Sequence, residues 1–197
     1  MKNIFLHVGS VKTGSSYIQR LLFSNKNALA ERGIFYPTMP GMHEERWANG
    51  FFLRDAEKLK CLEREMRSIH WETLVISDEG LFSDFKNTIS DYFKGYNIKI
   101  IAYIRNHRDL ISSWTTEFLK PYNLIEEYNS GHVNFESVEG VARQLSERYL
   151  YEIYGFLDSV DCVGPENVII SQYDKNSFSN PSAMARDFFG KIGTGLN

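Results

Sequence analysis

Apolar residues in this chain gather in short unbroken runs, and between the runs the pattern changes to a helical period. The first run, Ile4 to Val8, leads through a glycine- and hydroxyl-rich loop to Ile18, Leu21 and Leu22, which share one helical face. That helix is predicted from about Ser15 to Arg32, with Gly33 as its C-terminal cap. Ile34-Phe35-Tyr36 predicts a short strand stopped by Pro37, and a charged helix is expected from about Phe52 to Ile69. Thr73 to Ser77 and Ile98 to Ile104 are continuous apolar strands of the kind buried on both faces of a parallel sheet. A short helix reaching about Tyr96 separates them. Beyond Arg105 the spacing predicts a helix from about His107 to Lys120, where Pro121 bends or ends it, and another from about Ser137 to Val160. Val168 to Ser171 is a further strand and Pro181 to Lys191 a last helix. Strands alternating with helices give the α/β class, a three-layer sandwich around a central, mainly parallel sheet, and one domain over residues 1–197.

Composition narrows what such a domain does. It is 43% hydrophobic and 24% charged, as in soluble globular proteins. A net charge of −3 and a pI near 6.0 argue against a general nucleic-acid binder, so any anion site must be a local concentration of cations. The two cysteines, Cys61 and Cys162, are far apart and in no metal-ligand spacing, which suggests a reducing compartment. Met1-Lys2-Asn3 leads at once into the first strand, leaving no room for a signal peptide. No apolar run approaches the roughly 20 residues needed to cross a bilayer. A cytoplasmic protein without membrane span or nucleic-acid partner is expected; the sequence sets no oligomeric state.

The chemistry concentrates in Gly9-Ser10-Val11-Lys12-Thr13-Gly14-Ser15-Ser16-Tyr17. Glycines let the backbone approach an anion, the free N–H groups of a helix start point at it, and a lysine supplies compact charge. The Walker A form G-x4-G-K-[ST] is half present: Gly9 and Gly14 have its spacing, but Ser15 stands where its lysine belongs. The lysine lies inside the loop, two residues before the second glycine, beside a first phosphate and whatever is attached to it. A plain strand–helix turn with an incidental lysine is the alternative. Lys12-Thr13-Gly14-Ser15-Ser16 followed by an aromatic resembles the 5′-phosphosulfate loop of sulfotransferases that use 3′-phosphoadenosine 5′-phosphosulfate (PAPS), of the bacterial, P-loop-like kind.

That resemblance implies roles for further residues. Family members carry an arginine at the end of a central strand and a serine eight positions later that bind the 3′-phosphate. Arg105 and Ser113 have this spacing, although Arg105 could instead pair with Asp109. Glycan-modifying members take a glutamate near the third strand as catalytic base, and Glu79 is similar; the alternative is a structural carboxylate pairing with Lys12 or an arginine. His43 is the rival base, since cytosolic members use a histidine. Tyr17 falls where relatives put an aromatic against adenine, and His7 reads as a hydrogen-bonded core histidine. The resemblance implies a P-loop NTPase-like fold, PAPS as sulfuryl donor with PAP as product, no metal, and a small-molecule or glycan acceptor.

Many relatives also have a later glycine- and cation-containing loop that closes over the 3′-phosphate, and the chain is expected to lack it. Aromatic residues Trp47, Phe51, Phe52, Tyr122 and Tyr128 in loops would suit a sugar ring. Two other functions compete: a kinase or nucleotidase using ATP and Mg²⁺, with Asp78 ending a Walker B-like strand, and a nucleotide-binding module without catalysis.

Overall fold

The strands form because their side chains are apolar on both faces and have two layers of helices to bury them. In the computed structural model, which describes residues 1–38, 48–54, 56–83, 85–86, 93–118, 120, 138–174, 176–178 and 180–193, five strands make one sheet. They are β1 (Asn3–His7), β2 (Ile34–Phe35), β3 (Thr73–Ser77), β4 (Asn97–Arg105) and β5 (Val168–Tyr173). Every pairing is parallel, in the order β2-β3-β1-β4-β5. The expected α/β sandwich is the fold observed.

Alternation along each strand divides the interior. Ile4, Leu6 and Val8 of the first segment, Leu74 and Ile76 of β3, and Ile100 and Ala102 of β4 face one core. Phe5, Val75, Ile101 and Tyr103 face the other. This period of two is the geometry of the pleat, and both faces are apolar because both are covered. Helix α1 (Ser15–Ser24) and α6 (Pro181–Lys191) close the second core through Ile18, Leu22, Met184 and Phe188. The short α2 (Lys26–Ala30) adds Leu29. The first core is covered by α3 (Ala56–Ser68), α4 (His107–Phe118) and α5 (Val138–Val163), through Leu62, Leu110 and Phe156 among others.

Two predicted helices differ in detail. The first breaks at Asn25, whose side-chain amide donates to the Leu21 carbonyl at 2.8 Å and competes with the helical ladder. The second begins as a 3₁₀ turn, Gly50–Arg54, before α3 proper. Among the described residues no helix is long and apolar enough to cross a membrane.

What the topology does for function follows from strand order. β1 lies between β3 and β4. The chain leaves β1 toward β2 and β3 on one side, then crosses back to β4 on the other. At such a switch point the connections diverge and leave a crevice beyond the carboxyl ends of the strands.

Candidate functional site

The loop after β1 is tied to the sheet before it turns. Val8 N donates to Ile101 O at 2.9 Å and Ser10 N to Tyr103 O at 3.1 Å, so its first residues continue along β4. Thr13 Oγ1 donates to Ser10 O at 2.7 Å and closes the loop on itself in a buried setting. Gly14 adopts φ +79°, a conformation that strains any residue with a side chain, and a Cβ there would stand 2.7 Å from Met184 Sδ. Lys12 has φ +60°, a left-handed conformation costing a residue with a side chain about 1–2 kcal/mol. α1 starts at Ser15 with no side-chain cap and no acidic residue in its first turn. Its leading N–H groups and the positive end of its dipole therefore face the crevice.

Cations flank this cradle. Lys12 Nζ lies 3.7 Å from Glu117 Oε2 of α4, and Lys120 holds the same oxygen at 2.5 Å. The Lys120 hydrogen bond, more than Lys12, keeps the Glu117 carboxyl below its ordinary range. Arg105 ends β4 and donates from Nη1 to the Lys12 carbonyl at 3.2 Å, with its guanidinium 5.6 Å from the Tyr173 ring centre. Its partner is thus the loop after β1 rather than Asp109.

Beside the loop stands a carboxylate, Glu79, set in place by its neighbour Asp78. Asp78 N donates to His7 O at 3.0 Å, and Asp78 Oδ1 accepts from Gly80 N at 2.8 Å, capping the 3₁₀ turn Glu79–Leu81. Glu79 is thereby turned toward the loop, where its Oε1 accepts from Ser15 Oγ at 2.5 Å. Burial pushes the Glu79 carboxyl up, while the Ser15 hydrogen bond and the Lys12 charge oppose that rise. Gly50 packs against Asp78 so closely that a Cβ would fall 2.2 Å from the aspartate's own.

One buried amide holds this wall. Asn49, fully buried, accepts from Ser77 N at 2.7 Å and donates to Pro37 O and Val75 O, each at 3.3 Å. From the other side α5 reaches in at Gly155, where a Cβ would meet Ser83 O at 2.4 Å. That approach brings Glu152, with a carboxyl raised by burial, near Glu79. Arg148 pairs with Glu152 at 3.2 Å and lies 5.3 Å from the Trp114 ring centre.

These walls enclose a cavity of about 640 Å³. Lys12, Gly14, Ser15, Ser16, Glu79, Arg105 and Ser113, singled out in the sequence, all line it. Thr13 lies buried beneath the loop, with its hydroxyl engaged internally. Tyr17 packs half-buried against the Phe5–Ile18 core and is not among the lining residues. His43, like Trp47, lies outside the described residues. His7 is the expected core histidine: its Nδ1 is 2.7 Å from Ser77 Oγ, and burial lowers its pKa to about 3. Among the described residues no cluster of three or more His, Cys, Asp or Glu could hold a metal ion.

Sequence reasoning missed Trp114, Glu117, Phe118, Arg148 and Tyr173, which also line the cavity. Trp114, Glu117 and Phe118 were within reach, since they share the helix that carries Ser113. Arg148 and Tyr173 come from distant elements and carry no local signal.

No protein-family model matches the chain, and none of the curated proteins does. Solved structures do. A sulfotransferase from Alicyclobacillus acidocaldarius superposes with TM-score 0.57 at 17% identity, over 100% of this chain and 83% of its own. A mouse sulfotransferase complexed with PAP gives TM-score 0.56 at 18% identity, over 100% of this chain and 60% of its own. The sulfotransferase domain of the curacin biosynthetic pathway gives TM-score 0.51 at 12%, over 100% and 75%. The chain therefore spans less than two thirds of the mouse protein and more of the other two. What these likenesses establish is the fold, a sulfotransferase-like α/β sandwich.

Proposed function

We propose that the protein transfers a sulfuryl group from PAPS to a hydroxyl, or an amine, of a small-molecule or glycan acceptor. The observation that carries this reading is the meeting of a loop lysine, a strand-end arginine with its helix serine, and a half-buried carboxylate in one cavity. Two separated anion-binding points suit a nucleotide phosphorylated at both ends, and a carboxylate beside the first of them suits an acceptor proton. The fold shared with a PAP-bound sulfotransferase supports the same donor.

In this mechanism the Thr13–Ser16 backbone holds the donor's 5′-phosphate, with Lys12 beside the bridging oxygen. Arg105 and Ser113 grip the 3′-phosphate through charge-assisted hydrogen bonds. The acceptor oxygen attacks sulfur in line; the new S–O bond forms as the bond to the bridging oxygen breaks, and the electron pair leaves on the 5′-phosphate. Lys12 stabilises that developing charge. The acceptor proton passes to Glu79, whose raised pKa favours uptake, with His43 as the other base in the running. A sulfuryl group carries less negative charge than a γ-phosphate, so Lys12 and the helix N–H groups suffice and turnover proceeds without Mg²⁺.

The test is a calorimetric titration with PAP, ATP and ADP, each with and without Mg²⁺. Metal-independent PAP binding with little response to ATP is the expected result. Preference for ATP·Mg²⁺ would overturn the reading in favour of a kinase or nucleotidase and make Asp78 the residue of interest.

A further inference from the structure

Helix α5 turns one face to the core and leaves another bare. Val141, Leu145, Tyr149 and Phe156 are buried, whereas Leu150, Tyr151, Tyr154 and Leu157 are 49% to 78% exposed. Single exposed apolar side chains are ordinary; a contiguous row on successive turns of one helix is not.

The row has an order. Arg143, Glu147, Leu150, Tyr154, Leu157 and Asp161 follow one another at alternating steps of four and three, the spacing of a coiled-coil seam. All six are exposed. Their apolar members occupy the middle, a cation begins the seam and a carboxylate ends it. The arrangement is also symmetric in position about residue 152: Leu150 and Tyr154 lie two residues either side, Glu147 and Leu157 five, Arg143 and Asp161 nine.

We propose that α5 pairs antiparallel with α5 of a second copy of this chain, about a two-fold axis level with Glu152. In that register Leu150 of each copy packs on Tyr154 of the other, and the Tyr151 rings meet beside the axis. Leu157 closes over the stem of Glu147, and Arg143 faces Asp161 at both ends. The interface is isologous, so every favourable contact occurs twice. A parallel pair would instead set Arg143 on Arg143 and Asp161 on Asp161, like charges that destabilise the alternative. α5 has 26 residues and is about 39 Å long, enough for the whole seam. Arg148 and Glu152 leave the helix on its opposite side, so the cavity of each copy stays open.

The pairing does not depend on the sulfuryl-transfer reading, and its test keeps the two apart. Sedimentation equilibrium of the full chain across a dilution series should give a dimer, and Tyr154→Glu or Leu157→Glu should give a monomer. Arg143→Glu should weaken the dimer at least about tenfold, as like charges then face each other twice, and Arg143→Glu with Asp161→Lys should restore it. Circular dichroism and PAP titration of the monomeric variants, expected to match the parent, would show that the fold and cavity survive. A parent chain that stays monomeric at every concentration would overturn the proposal. So would a dimer indifferent to Tyr154→Glu, or a charge exchange that fails to rescue.

Discussion

Around the cavity, the side carrying Lys12, Arg105 and Ser113 and the side carrying Glu79, with Asp78 behind it, are held by different means. The cationic wall is a backbone construction: two glycines and Lys12 itself sit at positive φ, and the lysine's charge leans on a half-exposed glutamate at 3.7 Å. The acidic wall is a side-chain construction, pinned by Asp78 to Gly80, by Asn49 to Ser77 and by Ser15 to Glu79, all within 2.8 Å. In the proposed reaction the cationic side receives a large anion, and loosely matched donors there spare the displacement of a firm internal partner. In the same proposal the acidic side moves one proton over a fraction of an ångström and gains from being fixed beforehand. The two therefore answer differently to substitution.

The largest separation is expected at Glu79. Glu79→Gln keeps the size of the side chain but removes the base, and turnover should fall about 10²–10⁴-fold while PAP affinity stays within a few-fold. In the parent, kcat/KM should rise with pH through the Glu79 ionisation, with an acid limb above the ordinary carboxylate range because burial raises this group. The stability effect has the opposite sign. A carboxyl that holds its proton more tightly when folded adds stability at low pH and loses it as pH rises through the folded value. A variant that turns over normally, or an acid limb unmoved by the substitution, would remove Glu79 from the chemistry.

Arg105→Ala should act on the other wall. Hydrogen bonds to a charged group contribute about 1.5–3 kcal/mol, so PAP should bind roughly 10–100-fold more weakly by calorimetry, with a smaller loss for a ligand lacking the 3′-phosphate. Equal losses for both ligands would mean that Arg105 supports the Lys12 carbonyl and nothing more.

The smallest effect is reserved for Glu117. Its pairing with Lys12 is partly exposed, and such pairs contribute about 0–1 kcal/mol. Glu117→Gln should tighten PAP binding by no more than about fivefold, by removing a resident anion. Weaker binding would show that Glu117 orients Lys12 instead of competing for it.

Local chemistry carried much of this into the sequence, and distance hid the rest. β1, β3 and β4 were legible because unbroken apolar runs have one economical home in a covered parallel sheet, and the loop because glycine spacing and a lysine constrain backbone and charge together. Arg105 and Ser113 could be paired because strand end and helix turn are neighbours in the chain. The break at Asn25 was not legible, since it depends on one side-chain amide choosing the Leu21 carbonyl. Nor was Arg148, which comes to the cavity from α5, far along the chain from the loop after β1. Asn49 was passed over for the same reason: its three hydrogen-bond partners lie on Pro37, Val75 and Ser77.

That amide has a consequence for how the protein could be changed. Asn49 fastens the chain on both sides of residues 39–47 to the end of β3, and it does so through backbone atoms alone at the far end of each bond. Those partners exist whatever side chains the intervening stretch carries. A change at Asn49 alone would therefore undo three hydrogen bonds at once, whereas replacing a side chain at Val75 or Pro37 would leave the accepting carbonyls in place.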